Sequence, residues 1–591
     1  MARKKKNWVI LRKGGDFQRT GEKFHISPRT AALIRNRDVV GDEAVDRYLN
    51  GTIADLYDGM LLKDMDRAVE VLTEKLREGA KIRIIGDYDI DGVQATYILL
   101  EGLRYLGGDV DSDIPDRMKD GYGLNRHLIE RAFDDGTDTI VTCDNGIAAA
   151  EEIAYARSLG MTVVVTDHHE VPYEEGEDGK RRYVLPPADA VVDPKQEDCP
   201  YPFKGLCGAA VAYKLTEALC EAMGRDAEDL DYLMENVAIA TVGDVMDLTD
   251  ENRIFVRQGL EMLRRTKNPG LNALIDCTGI DREHISAYHI GFVLGPCINA
   301  SGRLDTAKRS LELMETENSR DASLLAGNLK ALNDSRKDMT QKAVEEALEL
   351  VEHTEAGKDR VLVLCLPSCH ESLAGIVAGR VRDAYYKPVF VLTRGEDGLK
   401  GSGRSIETWH MYEGLNRCRE LLTRFGGHRM AAGLSLPEEN LEAFRRKINE
   451  TCGLTDADLQ EKITIDMQLP FSSITGQLIQ ELQLLEPFGK GNPKPVFAQR
   501  QVEVLGARIL GKNRNVLKLR LEDSDGTELD ALYFGNPEEF LDYAEEAYGN
   551  GVSKVLLAGK ARGIRMAFTF YPEIHEYRGN RSIQIIVQDY K

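Results

Sequence analysis

Acidic residues recur in three short runs, and each run follows a stretch rich in β-branched residues. Lys81–Gly86 (KIRIIG) leads into Asp87-Tyr88-Asp89-Ile90-Asp91-Gly92. Asp138–Thr142 (DTIVT) leads into Asp144-Asn145-Gly146, and Met161–Thr166 (MTVVVT) leads into Asp167-His168-His169. In an open parallel α/β sheet the carboxyl ends of the strands share one edge, and ligands bind there. Five acids and two imidazoles are therefore expected to converge from separate parts of the chain. Like charges at one edge repel unless a cation neutralises them. Carboxylates with one or two imidazoles and no thiolate suit Mn²⁺ or Mg²⁺ better than structural zinc. Two such ions can flank a phosphoryl group, activate a water and stabilise the leaving oxygen. Asp144 is placed to bridge two ions, and a further acid, Asp244, ends a predicted helix.

Taken singly, each run has a simpler reading. DxDxDG resembles a calcium loop, but that loop needs Glu at position 12, and counting from Asp87 reaches Ile98. Asp-Asn-Gly is a common turn, and a pair of histidines is unremarkable. Their succession at the ends of consecutive strands is what favours chemistry.

The elements that must position these residues follow from hydropathy. Short apolar runs alternate with helical stretches at Val93–Leu106 and Ala149–Ser158, and Ala188–Val192 makes a fourth run. That alternation predicts βαβ units and a mostly parallel sheet. Helices are expected at Gly208–Met223 and Tyr232–Val242. Residues 317–357 read as a connecting helix or helix pair. A second α/β unit follows, with strands at Asp359–Leu366 and Pro388–Thr393 around a helix at Leu373–Tyr385. From about residue 460 the runs become short: Val502–Leu505, Val516–Leu521, Leu529–Phe534, Val555–Leu557 and Ser582–Val587. These predict a small antiparallel barrel. Residues 1–75 are polar, helical after Ser27-Pro28, and offer no chemistry.

With 591 residues the chain exceeds one hydrophobic core, and roughly three to five domains are expected. Its 42% apolar and 29% charged residues are those of a folded chain. No stretch approaches the roughly 20 apolar residues of a membrane span, and no apolar run follows the charged start MARKKKNWVI. Ten cysteines without a CxxC pair argue against a disulfide scaffold or a zinc ribbon, and point to a reducing, cytoplasmic setting. The net charge of −22 argues against a nucleic-acid coat protein. Locally the balance reverses. Residues 500–520 carry six Lys/Arg against one acid, residues 376–430 ten against six, and residues 551–591 seven against three. The C-terminal third could therefore hold a polyanion, although for any single segment a solvated face is the favoured reading.

The set GDYDIDG, CDNG, DHH and GDV resembles the DHH phosphoesterase superfamily, which includes pyrophosphatases, oligoribonucleases and the RecJ exonucleases. Further segments sharpen the likeness: Ile114-Pro115-Asp116-Arg117, Gly121-Tyr122-Gly123-Leu124, and Gly295-Pro296-Cys297-Ile298-Asn299-Ala300-Ser301-Gly302-Arg303. Gly401-Ser402-Gly403-Arg404-Ser405 and Phe425-Gly426-Gly427-His428 look like a DHHA1 domain, and Glu486-Pro487-Phe488-Gly489 with Gly491-Asn492-Pro493 opens the tail. This order resembles the RecJ family and covers about residues 75–590.

The resemblance implies an α/β fold: a parallel-sheet DHH domain and a smaller α/β DHHA1 domain joined by a long helix, then a C-terminal OB-fold β-barrel. The expected divisions are 1–75 (extension), 76–245 (DHH), 246–355 (helical region and connecting helix), 356–455 (DHHA1) and 456–591 (OB-fold). It implies single-strand-specific 5′→3′ exonuclease activity by a two-metal mechanism, in DNA repair and recombination. Metal ligands would be Asp87, Asp89, Asp91, Asp144, His168 and Asp244, holding Mn²⁺ or Mg²⁺. Asp89, Asp144, His169 and Asp167 would be catalytic, with His169 near the scissile phosphate. Arg117, Tyr122, Arg303, Ser402, Arg404 and His428 would bind substrate; Arg forks and hydroxyls suit phosphate, and Tyr122 either stacks on a base or packs in the core. Partners would be single-stranded DNA, a helicase and a single-strand-binding protein, with no membrane. Two positions depart from the family pattern. Cys297 stands where arginine is expected, and Ser368-Cys369-His370-Glu371-Ser372 lacks a tryptophan before its histidine. Two rival readings stay open: a small-substrate phosphatase or oligonucleotide hydrolase, and a non-catalytic DNA-binding partner.

Overall fold

The computed structural model describes residues 6–117, 120–121, 123–175, 181–395, 398–577 and 579–591. The chain divides into two units. One comprises Gly51–Leu459 with Pro487–Asn492, and the other Met1–Asn50, Gln460–Glu486 and Pro493–Lys591.

The larger unit is organised by a parallel sheet. Its strands are β1 (Lys81–Ile85), β2 (Asp109–Asp113), β3 (Thr139–Cys143), β4 (Thr162–Thr166) and β5 (Ala190–Val192). They lie in the order β2-β1-β3-β4-β5, all parallel. Both faces are covered, which is why β3 and β4 read as unbroken β-branched runs. Ile82, Ile84, Val141 and Val164 pack into one core with α1 (Ile90–Tyr105), α2 (Gly208–Ala222) and α3 (Met234–Gly243). Ile85, Ile140, Val163 and Val165 pack into another with Leu128, Ile129 and Ile153.

Strand β2 was not expected. Its sequence, DVDSD, carries three acids, and as an edge strand it buries only Val110 and Asp113. Arg83 of β1 compensates, with Nε and Nη2 donating to Asp111 at 2.6 and 2.7 Å.

After α3, helix α4 (Gly295–Leu304) leads to the 35-residue helix α5 (Ser319–His353). The connecting segment is thus one helix. Ala326 and Leu329 near its start join the first core, whereas Ala343, Ala347 and Val351 near its end join that of a second sheet. That sheet contains β6 (Leu362–Cys365), β7 (Val389–Gly395), β8 (Gly398–Arg404), β9 (Arg424–Gly427) and β10 (Ala431–Leu436), in the order β9-β10-β8-β7-β6. Only β6 and β7 pair in parallel. Helix α6 (Ala374–Tyr385) packs on the face formed by Leu362, Leu364, Val389 and Val391.

The smaller unit is built on a barrel of β11 (Phe497–Leu510), β12 (Val516–Glu522), β13 (Glu528–Tyr533), β14 (Arg565–Tyr577) and β15 (Asn580–Tyr590). The order β11-β12-β13-β15-β14 closes through pairing of β14 with β11. Closure is not purely antiparallel, because β13 and β15 run in parallel. Val555–Leu557, expected to be a strand, lies in a helix spanning Val552–Leu557. Three apolar residues in succession fit either period.

Residues 7–50 belong to this unit too. Asn7–Ile10 pairs in parallel with Lys462–Ile465. Glu481 accepts from the Ser27 amide and the Thr30 hydroxyl at 2.9 and 2.6 Å. Arg37 and Asp466 form a buried ion pair at 3.2 Å. Among the described residues, no helix is long and apolar enough to cross a membrane.

Candidate metal centre

The sheet order reverses between β1 and β3, which makes the crevice at their carboxyl ends a topological switch point. β1 opens there into Asp87, Asp89 and Asp91, β3 into Asp144 and Asn145, and β4 into Asp167, His168 and His169. The expected convergence is observed. Ligand atoms of Asp87, Asp89 and Asp144 lie within 4.8 Å of one another, as do those of Asp144, His168 and His169, and those of Asp91, His168 and Asp244. Asp144 is common to two groups and His168 to two.

Local structure fixes each side chain. Asp89 is the N-cap of α1, its Oδ1 accepting from the amides of Asp91 and Gly92 at 2.9 and 3.2 Å. Asp91 is fully buried and is held at the start of α2, accepting from the Gly208 and Ala209 amides at 2.7 and 2.8 Å. Helix N-termini favour carboxylates because their first amides are unpaired. Asp144 turns off β3 with φ 59°, a left-handed conformation that Asp tolerates better than most residues. Asn145 clamps the two central strand ends, donating to the carbonyls of Ile85 and Cys143 at 3.0 and 2.9 Å. Asp244 caps the end of α3.

The imidazoles are held differently. His168 is buried, with Nε2 at 3.0 Å from Asp144 Oδ1, 3.4 Å from Asp91 and 3.8 Å from Asp244. His169 has a half-exposed side chain, and its Nδ1 donates to Asp167 Oδ1 at 2.7 Å. Asp167 is itself buried and accepts from the Ile147 amide at 2.9 Å. It therefore orients His169 from behind, as an outer carboxylate does in many metal sites.

Electrostatics describe a site built for cations. Burial, then the neighbouring carboxylates, push Asp144 well above the usual carboxylate range. Burial and Asp89 raise Asp87, and burial outweighs His168 in raising Asp91. Burial with Asp91 and Asp89 lifts Asp244 to about 8. Burial opposes charge on His169, but its hydrogen bond to Asp167 and that carboxylate's charge prevail and raise it to about 9. Burial lowers His168. In Asp167 burial is overcome by His169, and its pKa falls. Among the described residues, Asp87 Oδ1 is buried without a hydrogen-bond partner. An acceptor-rich, mutually repelling set with an orphaned carboxylate oxygen fits hard divalent cations.

Two residues of the site escaped the sequence reading. Asp193 follows β5 at the same sheet edge, where burial, then Asp167, raise it to about 7. The strand-end rule that found the other acids could have found it. Asn299 of α4 accepts from the Ile90 amide at 2.9 Å and so braces the Asp87–Asp91 loop. It lies in a quoted motif, but its partner is far away in sequence.

The expected substrate residues form a second group. Arg117 lies over the Tyr88 ring at 5.0 Å. Arg303 donates to the Ser372 carbonyl at 2.9 Å, and burial followed by Arg117 and Arg336 lowers it to about 10. Arg404 donates to Ser402 Oγ at 3.0 Å, and burial, Arg382 and Arg117 lower it. These arginines thus share one electrostatic neighbourhood. His428 is exposed on the turn joining β9 to β10, and Tyr122 lies outside the described residues. Cys297 is buried, accepting from Asn333 Nδ2 at 3.4 Å. Cys369 is buried beside α6.

Comparison with known proteins gives the lineage. Family models match at residues 81–241 (DHH family, N-terminal domain), 358–453 (DHHA1 domain) and 465–589 (RecJ OB domain). The single-stranded-DNA-specific exonuclease RecJ of Salmonella typhimurium is 36% identical over 95% of this chain and 96% of its own length. The chain belongs to the RecJ family. The RecJ of Bacillus subtilis is 35% identical over 100% of this chain and 71% of its own. The crystal structure of Thermus thermophilus RecJ in complex with Mn²⁺ superposes with TM-score 0.80 at 27% identity, over 99% of this chain and 79% of that one. Its Mg²⁺ complex gives TM-score 0.76 at 26% identity, over 99% and 78%. Both metals of the sequence expectation are therefore represented among RecJ structures.

Proposed function

We propose that this chain is a metal-dependent exonuclease that hydrolyses single-stranded DNA from its 5′ end to mononucleotides, in DNA repair and recombination. The observation that carries the reading is the acid-imidazole cluster at the switch point of a RecJ-family sheet. Asp87, Asp89 and Asp144 would hold one ion; Asp91, His168 and Asp244, with Asp144 shared, would hold a second. Bound there, Mn²⁺ or Mg²⁺ supplies Lewis acidity and makes a coordinated water more acidic.

The chain's own groups do the rest. Asp144 balances charge at the centre of the cluster. Asp167 fixes the ring of His169, leaving Nε2 as a proton donor at the exposed rim, where it can serve the leaving oxygen. Arg117, Arg303, Ser402 and Arg404 bind the phosphate at the 5′ end, because guanidinium forks pair with phosphate oxygens in two-point contacts. His428 would close the site from the second sheet, and Tyr122 would stack on a base.

The working division is 76–245 for the chemistry, 246–355 for the connection, 356–455 for the strand end, and 456–591 for holding the strand upstream by backbone charge and stacking. Residues 1–75 have no separate role assigned. A helicase and a single-strand-binding protein would supply and clear the substrate in the cytoplasm.

The test is digestion of a long single strand in Mn²⁺, labelled at either end, beside a duplex of the same sequence. Early release of labelled mononucleotide from the 5′ end, with the duplex intact, is expected. Cleavage confined to very short oligomers would instead indicate a small-substrate hydrolase.

A further inference from the structure

The second sheet leaves part of one face uncovered, and that face is not apolar. Cross-strand register places Lys400, Ser435 and Arg424 in one row, and Ser402, Gly433 and Gly426 in the next. The alternate residues Leu399, Gly403, Ala432, Leu434 and Leu436 point inward and are buried. Helix α6 covers this face over β6 and β7, against Leu362, Leu364, Val389 and Val391, and reaches β8 where Gly375 approaches Ser402 and Arg404. Over β9 and β10 the floor is glycine. A Cβ built on Gly426 meets nothing within 4 Å, and one on Gly433 meets only the Gly401 carbonyl at 3.9 Å. The resulting groove has a volume of ≈ 780 Å³ and is rimmed by Lys400, Arg419, Arg424, Thr423 and Ser435, with Glu371 at one side.

The rim's charge is available. Lys400 faces Glu371 at 3.5 Å. Among the described residues, Arg419 and Arg424 make no ion pair, although both are exposed. Glu420, the acid next to Arg419, is taken up by Lys447. Two free guanidiniums, an ammonium and two hydroxyls around a floor without side chains are the chemistry of a phosphate ester. The groove is continuous with Ser402 through the glycine row, yet its basic end lies away from the turn that carries His428.

We propose that this glycine-floored groove is a second phosphate-binding site, separate from the metal centre and from Arg404, which holds phosphate esters of the nucleic acid. The proposal rests on the nuclease reading above and extends it. The phosphates come either from the strand backbone or from the released mononucleotide. Gly426 and Gly433 let the sugar-phosphate approach the sheet backbone, and Arg419 and Arg424 neutralise its charge.

Steady-state digestion of a long 5′-phosphorylated oligothymidylate in Mn²⁺, measured across a KCl series, separates these sources. Each single-strand phosphate contact contributes about 0.7 to the logarithmic salt slope. The Arg419→Ala/Arg424→Ala double variant should raise KM, leave kcat unchanged, and lower the slope of kcat/KM by about 1.4. Gly426→Leu fills the floor without removing charge, so it should raise KM with the slope's charge count intact. These results assign the groove to the strand. An unchanged salt slope with at least tenfold weaker inhibition by thymidine monophosphate assigns it to the released nucleotide. If neither KM, slope nor nucleotide inhibition moves in either variant, and both unfold at the parent's temperature, the groove is not a phosphate site. Failure of the parent itself to digest the strand would overturn the nuclease reading. Calorimetric titration of the parent and the double variant with thymidine monophosphate would then decide the groove on its own.

Discussion

Asp144 stands between two groups of candidate ligands, where four other carboxylates surround it. It is buried, left-handed and surrounded by Asp87, Asp89, Asp91 and Asp244. Without a cation its charge is a liability; in the proposed centre it would be the shared ligand. Asp144→Asn should therefore raise the melting temperature in chelator, while Mn²⁺-dependent hydrolysis falls by well over 100-fold. Scanning calorimetry and nuclease assays on the same preparation test both halves. Asp167→Asn acts through His169, and a loss of about 10–100-fold in activity or metal affinity is expected, the range of outer-shell partners.

The pH response follows from the same residues. Asp244 is raised from 3.8 to about 8 and His169 from 6.5 to about 9. In both cases the folded state holds a proton that the unfolded chain releases, so metal-free stability falls as pH rises. The fall spans pH 4–8 for the acid and 6.5–9 for the imidazole. Ligation needs the ionised carboxylates, so the stabilisation by Mn²⁺ should grow across the same interval. Melting curves at pH 6 and pH 8.5, with chelator and with Mn²⁺, give the comparison. An equal metal-induced shift at both values would contradict the cluster's role.

Elements bring these groups together because two helix starts meet the sheet edge. α1 receives Asp89 as its cap, and α2 receives Asp91 on its first amides. That contact is close: a Cβ on Gly208 would lie 2.7 Å from Asp144 Cβ. Gly208→Ala should cost about 1–3 kcal/mol through overpacking and weaken Mn²⁺ binding, read by urea unfolding and metal titration.

The same geometry explains what could be read from sequence. Asp87–Asp91, Asp144 and Asp167–His169 were legible because each follows a strand buried on both faces, whose apolar run marks it. β2 was illegible because an edge strand needs only Val110 and Asp113 inside. β14 was missed although its residues alternate, since Pro572 and Glu573 interrupt the apolar pattern. Arg303 and Ser372 were each visible as motif residues, but the bond between them joins segments whose pairing no local period encodes.

At the scale of the molecule, residues 7–50 and the barrel depend on one another. Arg37 is buried against Asp466, and Glu481 serves the Ser27–Thr30 turn. Ending the chain after residue 459 would strip these partners and leave Ala31, Leu33 and Ile34 uncovered. Such a truncation should aggregate, whereas removing residues 1–50 as well should restore solubility. Light scattering distinguishes the two. The soluble form should still cleave short oligonucleotides, with KM for long strands raised at least tenfold. Unchanged digestion of long strands would remove the barrel from substrate holding.

The pairing of Asn7–Ile10 with Lys462–Ile465 also sets a timetable. Lys6 and its partner Glu461 are 455 residues apart. A ribosome adding about 5–20 residues per second needs roughly 20–90 seconds to cover that interval. The first strand must wait unpaired while the whole catalytic unit is synthesised behind it. The acid-imidazole cluster can thus assemble on the nascent chain well before the barrel exists.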